Sequence, residues 1–360
     1  MYKNLVAALA AACFFAPLHA QSPAPAQPPT RAAWVYVTPV TPTGWTHQHE
    51  LARQAVQKAL GDAVKTTYVE NVAEGPDAER VLRDLARQGN DIIFTTSFGY
   101  MEPVLRVARE FPQVRFECQT CVQRAPNVAT SNARYYEGRY LSGIAAGRMT
   151  KTGVVGYVAG FPIPEVLQGI NAFTLGLRSV APTATVKLVW LNDWFNPPRE
   201  RDAAMTLMDQ GADVLAFHSA STAVMAAAEE RGKLAIAYHS DMRGVAPHAQ
   251  LAAVTHHWDA YDLARVRAVR DGSWKSGDTW GGVAAGMVRI EAFGPRVPAA
   301  VRDEVLARQK DIAAGRLQPF AGPVTDNTGQ LRIAQGHHAS DAEILRMNYL
   351  VQGVQGRLPH

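Results

Sequence analysis

The feature that most constrains this chain is an alternation of strand-like and helix-like segments that runs through it twice, with a seam at residues 134–165. The seam reads RYYEGRYLSGIAAGRMTKTGVVGYVAGFPIPE. Tyr136, Tyr140, Leu141, Ile144 and Ala145 fall on one helical face. Gly143 and Gly147 leave a flat side on which another backbone can approach closely. A Thr-Lys-Thr-Gly break at 150–153 precedes a strand over 154–159, and a loop holding Pro162 and Pro164 opens the next helix.

Before the seam, strands are predicted at 32–40, 64–72, 91–96, 114–118 and 127–131, with helices at 47–60, 77–88 and 101–111. Beyond it, strands at 185–191, 213–218, 234–239, 251–255 and 284–292 alternate with helices at 165–180, 199–210, 223–231, 258–271 and 298–314. A turn at 326–329 and a short helix over 341–351 end the chain. Such alternation predicts an α/β protein with parallel sheets covered by helices on both faces, arranged as two Rossmann-like lobes with a cleft between them.

At 360 residues there is material for two domains. The formal net charge is +4, but the basic residues are scattered, with no Lys/Arg-rich run, which argues against a nucleic-acid partner. Lys3, an apolar run over 5–18 and the ending Leu18-His19-Ala20 read as an export signal over residues 1–20. A Pro- and Gln-rich disordered spacer is expected over 21–31. Cys13 sits inside the apolar run in a poor match to a lipid-attachment box, so a periplasmic protein without a lipid anchor is expected. Cys118 and Cys121 form Cys-Gln-Thr-Cys. In a reducing compartment that spacing suggests redox or metal chemistry; export favours a local disulfide.

In open α/β sheets, ligands sit outside the carboxyl ends of strands. The loops so selected carry Trp45, Phe98, Phe161, Trp194, Phe195 and Trp258. Any one aromatic at a strand-to-helix junction can be a core plug; several rings facing a cleft can hold a flat ligand by stacking. Glu137 and Asp241 are carboxylates placed to accept hydrogen bonds from its edge, although Glu137 equally suits an exposed first helical turn. His218, His239, His256 and His257 end strands, yet no HExxH spacing accompanies them. There is no G-x-S-x-G elbow or phosphate-binding loop, and no base is placed beside Ser97 or Ser240. Binding outranks catalysis, and neither cofactor nor metal is expected.

The run YYEGRYLSGIAAGRMTKTGVVGYVAGFPIPEVLQGINAF resembles the basic membrane protein family of ABC-transporter substrate-binding proteins, which includes bacterial purine nucleoside receptors and nucleobase-binding members. Gly44-Trp45-Thr46, TTSFGYMEP from Thr95, DQGADV from Asp209, Ser240-Asp241-Met242, GSWKSGDTWGG from Gly272 and PFAGPV from Pro319 extend the likeness over nearly the whole chain. It implies a type I periplasmic-binding-protein architecture, with a hinge and three crossings. Lobe I would comprise 32–150 plus about 258–275, lobe II 151–257 plus about 276–325, and a tail over 326–360 would pack on both. The first crossing would fall at 150–153, with Tyr136, Glu137 and Phe161 near the cleft. Trp45 would stack on a purine-type ring beside Thr46 and Phe98, Asp241 would supply an acidic contact, and Trp194, His218 and Trp258 would line the opposite side. His218-Ser219-Ala220-Ser221 and His256-His257 depart from the family pattern, which leaves an oxopurine or another flat heterocycle open. The implied partners are a small-molecule ligand and an inner-membrane ABC permease, served by a monomer. The alternatives are an exported nucleoside or amide hydrolase and a ligand-binding sensor without a transport role.

Overall fold

The computed structural model describes residues 27–359, so the export signal and most of the proline-rich spacer lie outside the described residues. The first lobe begins with β1 (Thr30–Val35), α1 (Trp45–Leu60), β2 (Val64–Val69), α2 (Pro76–Arg87), β3 (Ile92–Thr95), α3 (Met101–Glu110), β4 (Arg115–Gln119) and β5 (Val128–Ala133). The second contains α4 (Tyr135–Met149), β6 (Val154–Ala159), α5 (Pro164–Val180), β7 (Thr185–Trp190), α6 (Pro197–Asp209), β8 (Val214–His218), α7 (Ala223–Glu230), β9 (Leu234–His239) and β10 (Gln250–His256). The chain returns to the first lobe for α8 (Asp259–Arg270) and β11 (Asp278–Gly281), then re-enters the second for β12 (Val288–Glu291) and α9 (Ala299–Ala313). A hairpin of β13 (Val324–Thr325) and β14 (Leu331–Ile333), a short α10 (Asp341–Leu345) and β15 (Val354–Gln355) complete it.

The first sheet has the order β11-β5-β4-β3-β1-β2, parallel throughout. The second has the order β12-β10-β9-β8-β6-β7-β15, and only its β10–β12 pair is antiparallel. β3 (IIFT) and β9 (LAIAYH) are buried along their whole length, as central parallel strands covered on both faces must be. β1 starts at Thr30, inside the expected spacer, and ends at Val35 instead of residue 40. The expected strand over 284–292 shortens to β12, and the helix expected over 341–351 ends at Leu345.

The seam differs from the expectation in one informative way. Helix α4 belongs to the second lobe. Tyr135, Tyr136, Leu141 and Ile144 share a core with Phe173 and Leu177 of α5 and with Val254 of β10. A methyl group on Gly143 would overlap the Phe173 carbonyl, and one on Gly176 would overlap the Tyr140 carbonyl, so α4 and α5 touch backbone to backbone. The flat glycine side of α4 therefore faces α5, and the first crossing lies at Arg134. Residues 150–153 form a turn within the second lobe, tied by Asp213, which accepts from Thr150 Oγ1 (2.6 Å) and Lys151 N–H (2.6 Å).

The return segment of the first lobe also runs further than about 275, because β11 pairs with β5. Arg134 N–H donates to the Gly281 carbonyl (2.8 Å), placing the first and third crossings side by side. The tail is fastened to the second lobe. β15 extends its sheet beyond β7, while Asn171 donates to the Tyr349 carbonyl (2.8 Å) and accepts from Val351 N–H (2.9 Å).

The α4–α5 contact yields a stability prediction. Gly143→Ala should destabilise the protein by about 1–3 kcal/mol through overpacking. Gly244→Ala, where an added methyl meets nothing within 4 Å, should leave stability unchanged. Urea unfolding with equal midpoints for the two variants would contradict the assignment.

Candidate ligand-binding cleft

The carboxyl ends of strands from both sheets converge on one cavity of about 480 Å³, its mouth included. Trp45 at the start of α1 and Phe98 after β3 reach it from the first lobe, Trp194 after β7 from the second. Trp45 is held by a hydrogen bond from Nε1 to the Thr96 carbonyl (2.8 Å) and by edge contacts with His49, His239 and His256. Trp194 is packed edge-on against Phe161 (centroids 4.9 Å apart). Gly160 beneath it has no room for a Cβ, which would stand 2.7 Å from the Trp194 ring. The lobes touch directly at the cleft: Gly44 N–H donates to Ser240 Oγ (2.6 Å) and Asn132 Nδ2 to Glu165 Oε2 (2.9 Å).

Polar lining comes from Thr38, Thr96, Ser97, Thr120, Ser219 and two imidazoles, His218 and His239. Glu165, in the first turn of α5, is the acidic side chain of the lining, and among the described residues no Lys or Arg belongs to it. Burial pushes the Glu165 carboxyl up to about 7, against the opposing hydrogen bond from Asn132. Thr120 sits at φ 70°, in the left-handed region, between Cys118 and Cys121. Those two cysteines are joined as a disulfide. The bond closes the loop after β4, and Cys121 Sγ lies 3.9 Å from the carbonyl of Ser97, which opens the Phe98 loop.

Under the cleft floor lies a layer of buried polar rings. His49 is completely buried, and neither ring nitrogen hydrogen-bonds to any of the described residues. His239 Nδ1 stands 3.4 Å from His256 Nδ1. Arg139 is fully buried, donates from Nη2 to the Phe217 carbonyl (2.5 Å) and lies 3.2 Å over the Tyr238 ring. Burial above all, and then the nearby Arg139 charge, holds His218 well below the usual imidazole range; His239 and His256 are depressed likewise, first by burial and then by each imidazole's neighbours.

Of the residues expected at the site, Trp45, Phe98, Trp194 and His218 line the cavity. Phe161 buttresses Trp194, and Thr46 stands one step behind, its hydroxyl 2.6 Å from that of Thr38. Trp258 is a buried plug stacked on His49 (5.0 Å) behind Trp45. Three others point elsewhere. The Tyr136 ring packs on Trp280 and Phe320, and Glu137 accepts from Val283 N–H (2.6 Å), because α4 turns both toward the third crossing. Asp241 pairs with Arg243 (2.6 Å) and accepts from Gln250 Nε2 (2.9 Å) at the surface. Sequence reasoning did not single out Glu165, although it directly follows Pro164 at the end of a selected loop. Among the described residues no cluster of His, Cys, Asp or Glu is arranged to hold a metal ion.

Two parallel-sheet lobes joined by three crossings, with a lined cleft at their seam, make a type I periplasmic-binding-protein architecture. Solved structures agree on that fold. An ABC solute-binding protein from Aeropyrum pernix superposes with a TM-score of 0.68 at 19% identity, covering 82% of this chain and 94% of that one. One from Conexibacter woesei gives 0.66 at 21% identity, covering 80% and 98%. Residues 30–318 match the sequence model of the Bmp family, described as ABC transporter substrate-binding protein PnrA-like, and the chain belongs to that family. It is 45% identical to the purine-binding protein of Brucella abortus, over 91% of this chain and 94% of that protein. It is 37% identical to a putative ABC transporter glucose-binding protein of Haloferax volcanii, over 91% and 81%. The chain is thus the substrate-binding protein of an ABC transporter and not an enzyme, which sets the hydrolase alternative aside. No helix among the described residues is long and apolar enough to cross a membrane.

The buried imidazoles predict acid lability. Burial lowers the His49 pKa from 6.5 to about 3, so below pH about 6.5 the unfolded chain takes up a proton that the folded one refuses. His49 thus favours the fold fully above that pH, and its contribution drains away at about 1.4 kcal/mol per pH unit as the pH falls toward its folded value. His49→Phe should flatten the fall in stability between about pH 6 and pH 4 by that slope. An unchanged slope in urea unfolding would mean that His49 is protonated in the folded state.

Proposed function

We propose that this protein captures a purine-type base or nucleoside outside the cytoplasm, as a monomer, and delivers it to the inner-membrane permease of an ABC importer. The observation that carries the reading is the set of three aromatic rings, Trp45 and Phe98 from one lobe and Trp194 from the other, on a single cavity. A flat ring entering between the lobes gains stacking contacts from both only when the lobes close, and such differential contact is what lets a ligand favour the closed state. A lining without Lys or Arg offers no counterion to a phosphate or carboxylate, which favours a neutral ligand over a nucleotide. The purine-binding relative supports the same ligand class.

Calorimetric titration with adenine, guanine, their nucleosides and glucose tests the reading. Purines are expected to bind with a one-to-one stoichiometry. Binding of glucose with no response to any purine would overturn it. Trp194→Ala should weaken purine binding by about 1–3 kcal/mol, the range for a base stacked on an aromatic side chain, while melting at nearly the wild-type temperature. Undiminished affinity in that variant would remove Trp194 from the ligand.

A further inference from the structure

One side chain in the cleft can change what it offers a ligand by taking up or losing a proton. The hydroxyls of Thr38, Thr96, Ser97 and Thr120 each donate or accept by rotating. His218 and His239 are kept neutral, chiefly by burial. Glu165 differs, because an ionised carboxylate only accepts whereas a carboxylic acid donates one hydrogen bond and accepts others. Its two oxygens are also unlike. Oε2 accepts from Asn132 Nδ2 of the opposite lobe (2.9 Å), which fixes the carboxyl plane. Oε1 stands 3.7 Å from His218 Nε2, beyond hydrogen-bond reach, and has no hydrogen-bond partner among the described residues. The side chain keeps 14% exposure although it sits deep in the seam, and the cavity is what it faces.

Resting on the purine reading, we propose that Glu165 reads the edge of the bound ring and that its protonation state selects the kind of purine held. The acid form presents a donor beside an acceptor, which matches an aminopurine edge, a ring nitrogen beside an exocyclic amine. The carboxylate presents two acceptors, which match the adjacent ring and exocyclic N–H donors of a 2-amino-6-oxopurine. One cleft would then take adenine-like rings under mildly acidic conditions and guanine-like rings under mildly alkaline ones.

The groups around Glu165 leave it the one that titrates in that range. Asn132 from β5 carries no charge. Tyr135 from α4 and Tyr238 from β9 have phenols driven upward by burial, and the His218 imidazole from β8 is driven downward by it. The Arg139 guanidinium lies beneath them, over the Tyr238 ring. Glu165 itself is placed at about 7 by burial, so its protonated share falls from about nine-tenths near pH 6 to about one-tenth near pH 8. A ligand that binds only one form follows that share.

Calorimetry of the purified protein with adenine and with guanine, near pH 6, 7 and 8, reads the effect directly, since both bases are neutral there. Adenine affinity should fall about tenfold across the range and guanine affinity rise about tenfold. Glu165→Gln supplies a permanent donor beside an acceptor, the pairing by which Gln and Asn recognise adenine. That variant should hold adenine with no pH dependence between pH 6 and 8 and lose at least about tenfold in guanine affinity. Parallel pH profiles for the two bases, or a wild-type pH profile in Glu165→Gln, would overturn the inference and leave the purine reading standing. If no purine binds at any pH, the two fall together. Should the variant fail to fold, the opposing profiles of the wild-type protein decide the matter alone.

Discussion

Everything near the cleft follows from where the chain crosses between its lobes. Both sheets are almost wholly parallel, so each sends the carboxyl ends of its strands to one edge, and the crossings at Arg134, after His256 and after Gly281 bring those edges face to face. Asn132, two residues before the first crossing, then meets Glu165 at the start of α5. The same geometry sets Gly44 against Ser240 and brings Trp45 over the strand-end imidazoles of β9 and β10. A crossing displaced along α4 would move these pairs apart. The backbone contact between α4 and α5, made possible by Gly143 and Gly176, seats α4 on the second lobe.

The second consequence is electrostatic. Closing two lobes over strand ends buries His49, His218, His239, His256 and Arg139 in one layer under the cleft. Burying such groups costs free energy unless they are neutral or well partnered. The protein keeps the imidazoles neutral and spreads the guanidinium over the Tyr238 ring and the Phe217 carbonyl. The cleft above that layer is therefore weakly charged, with Glu165 as the one carboxyl group in its lining. Under the proposed function, stacking would supply the grip, and a single titratable edge the choice among rings of similar shape.

Much of this was legible in the sequence. Buried parallel strands such as β3 and β9 announce themselves as unbroken apolar runs, and the strand-end rule led directly to Trp45, Phe98, Trp194 and His218. The crossing was misplaced because Thr150–Gly153 looks like a linker, whereas the real crossing at Arg134 is a single residue with no breaker signature. That error carried Tyr136 and Glu137 toward the cleft, although α4 presents them to Trp280 and Val283. Asp241 was drawn in by its position after β9, but Arg243 two residues on captures its carboxylate. Trp258 shows the limit of counting aromatics: its loop reaches the seam, and its ring fills the space behind Trp45. Glu165 escaped notice because a carboxylate at a first helical turn ordinarily faces solvent.

In the proposed complex a flat ring lies between aromatic side chains of the two lobes with its edge on Glu165. A crystal structure of the protein with adenine, grown near pH 6, tests it most directly. The ring is expected in contact with Trp45 and Trp194, with a ring nitrogen within hydrogen-bond distance of Glu165 Oε1. A base bound outside this cleft, or one whose edge is held by Asp241 or Glu137 instead, would contradict it.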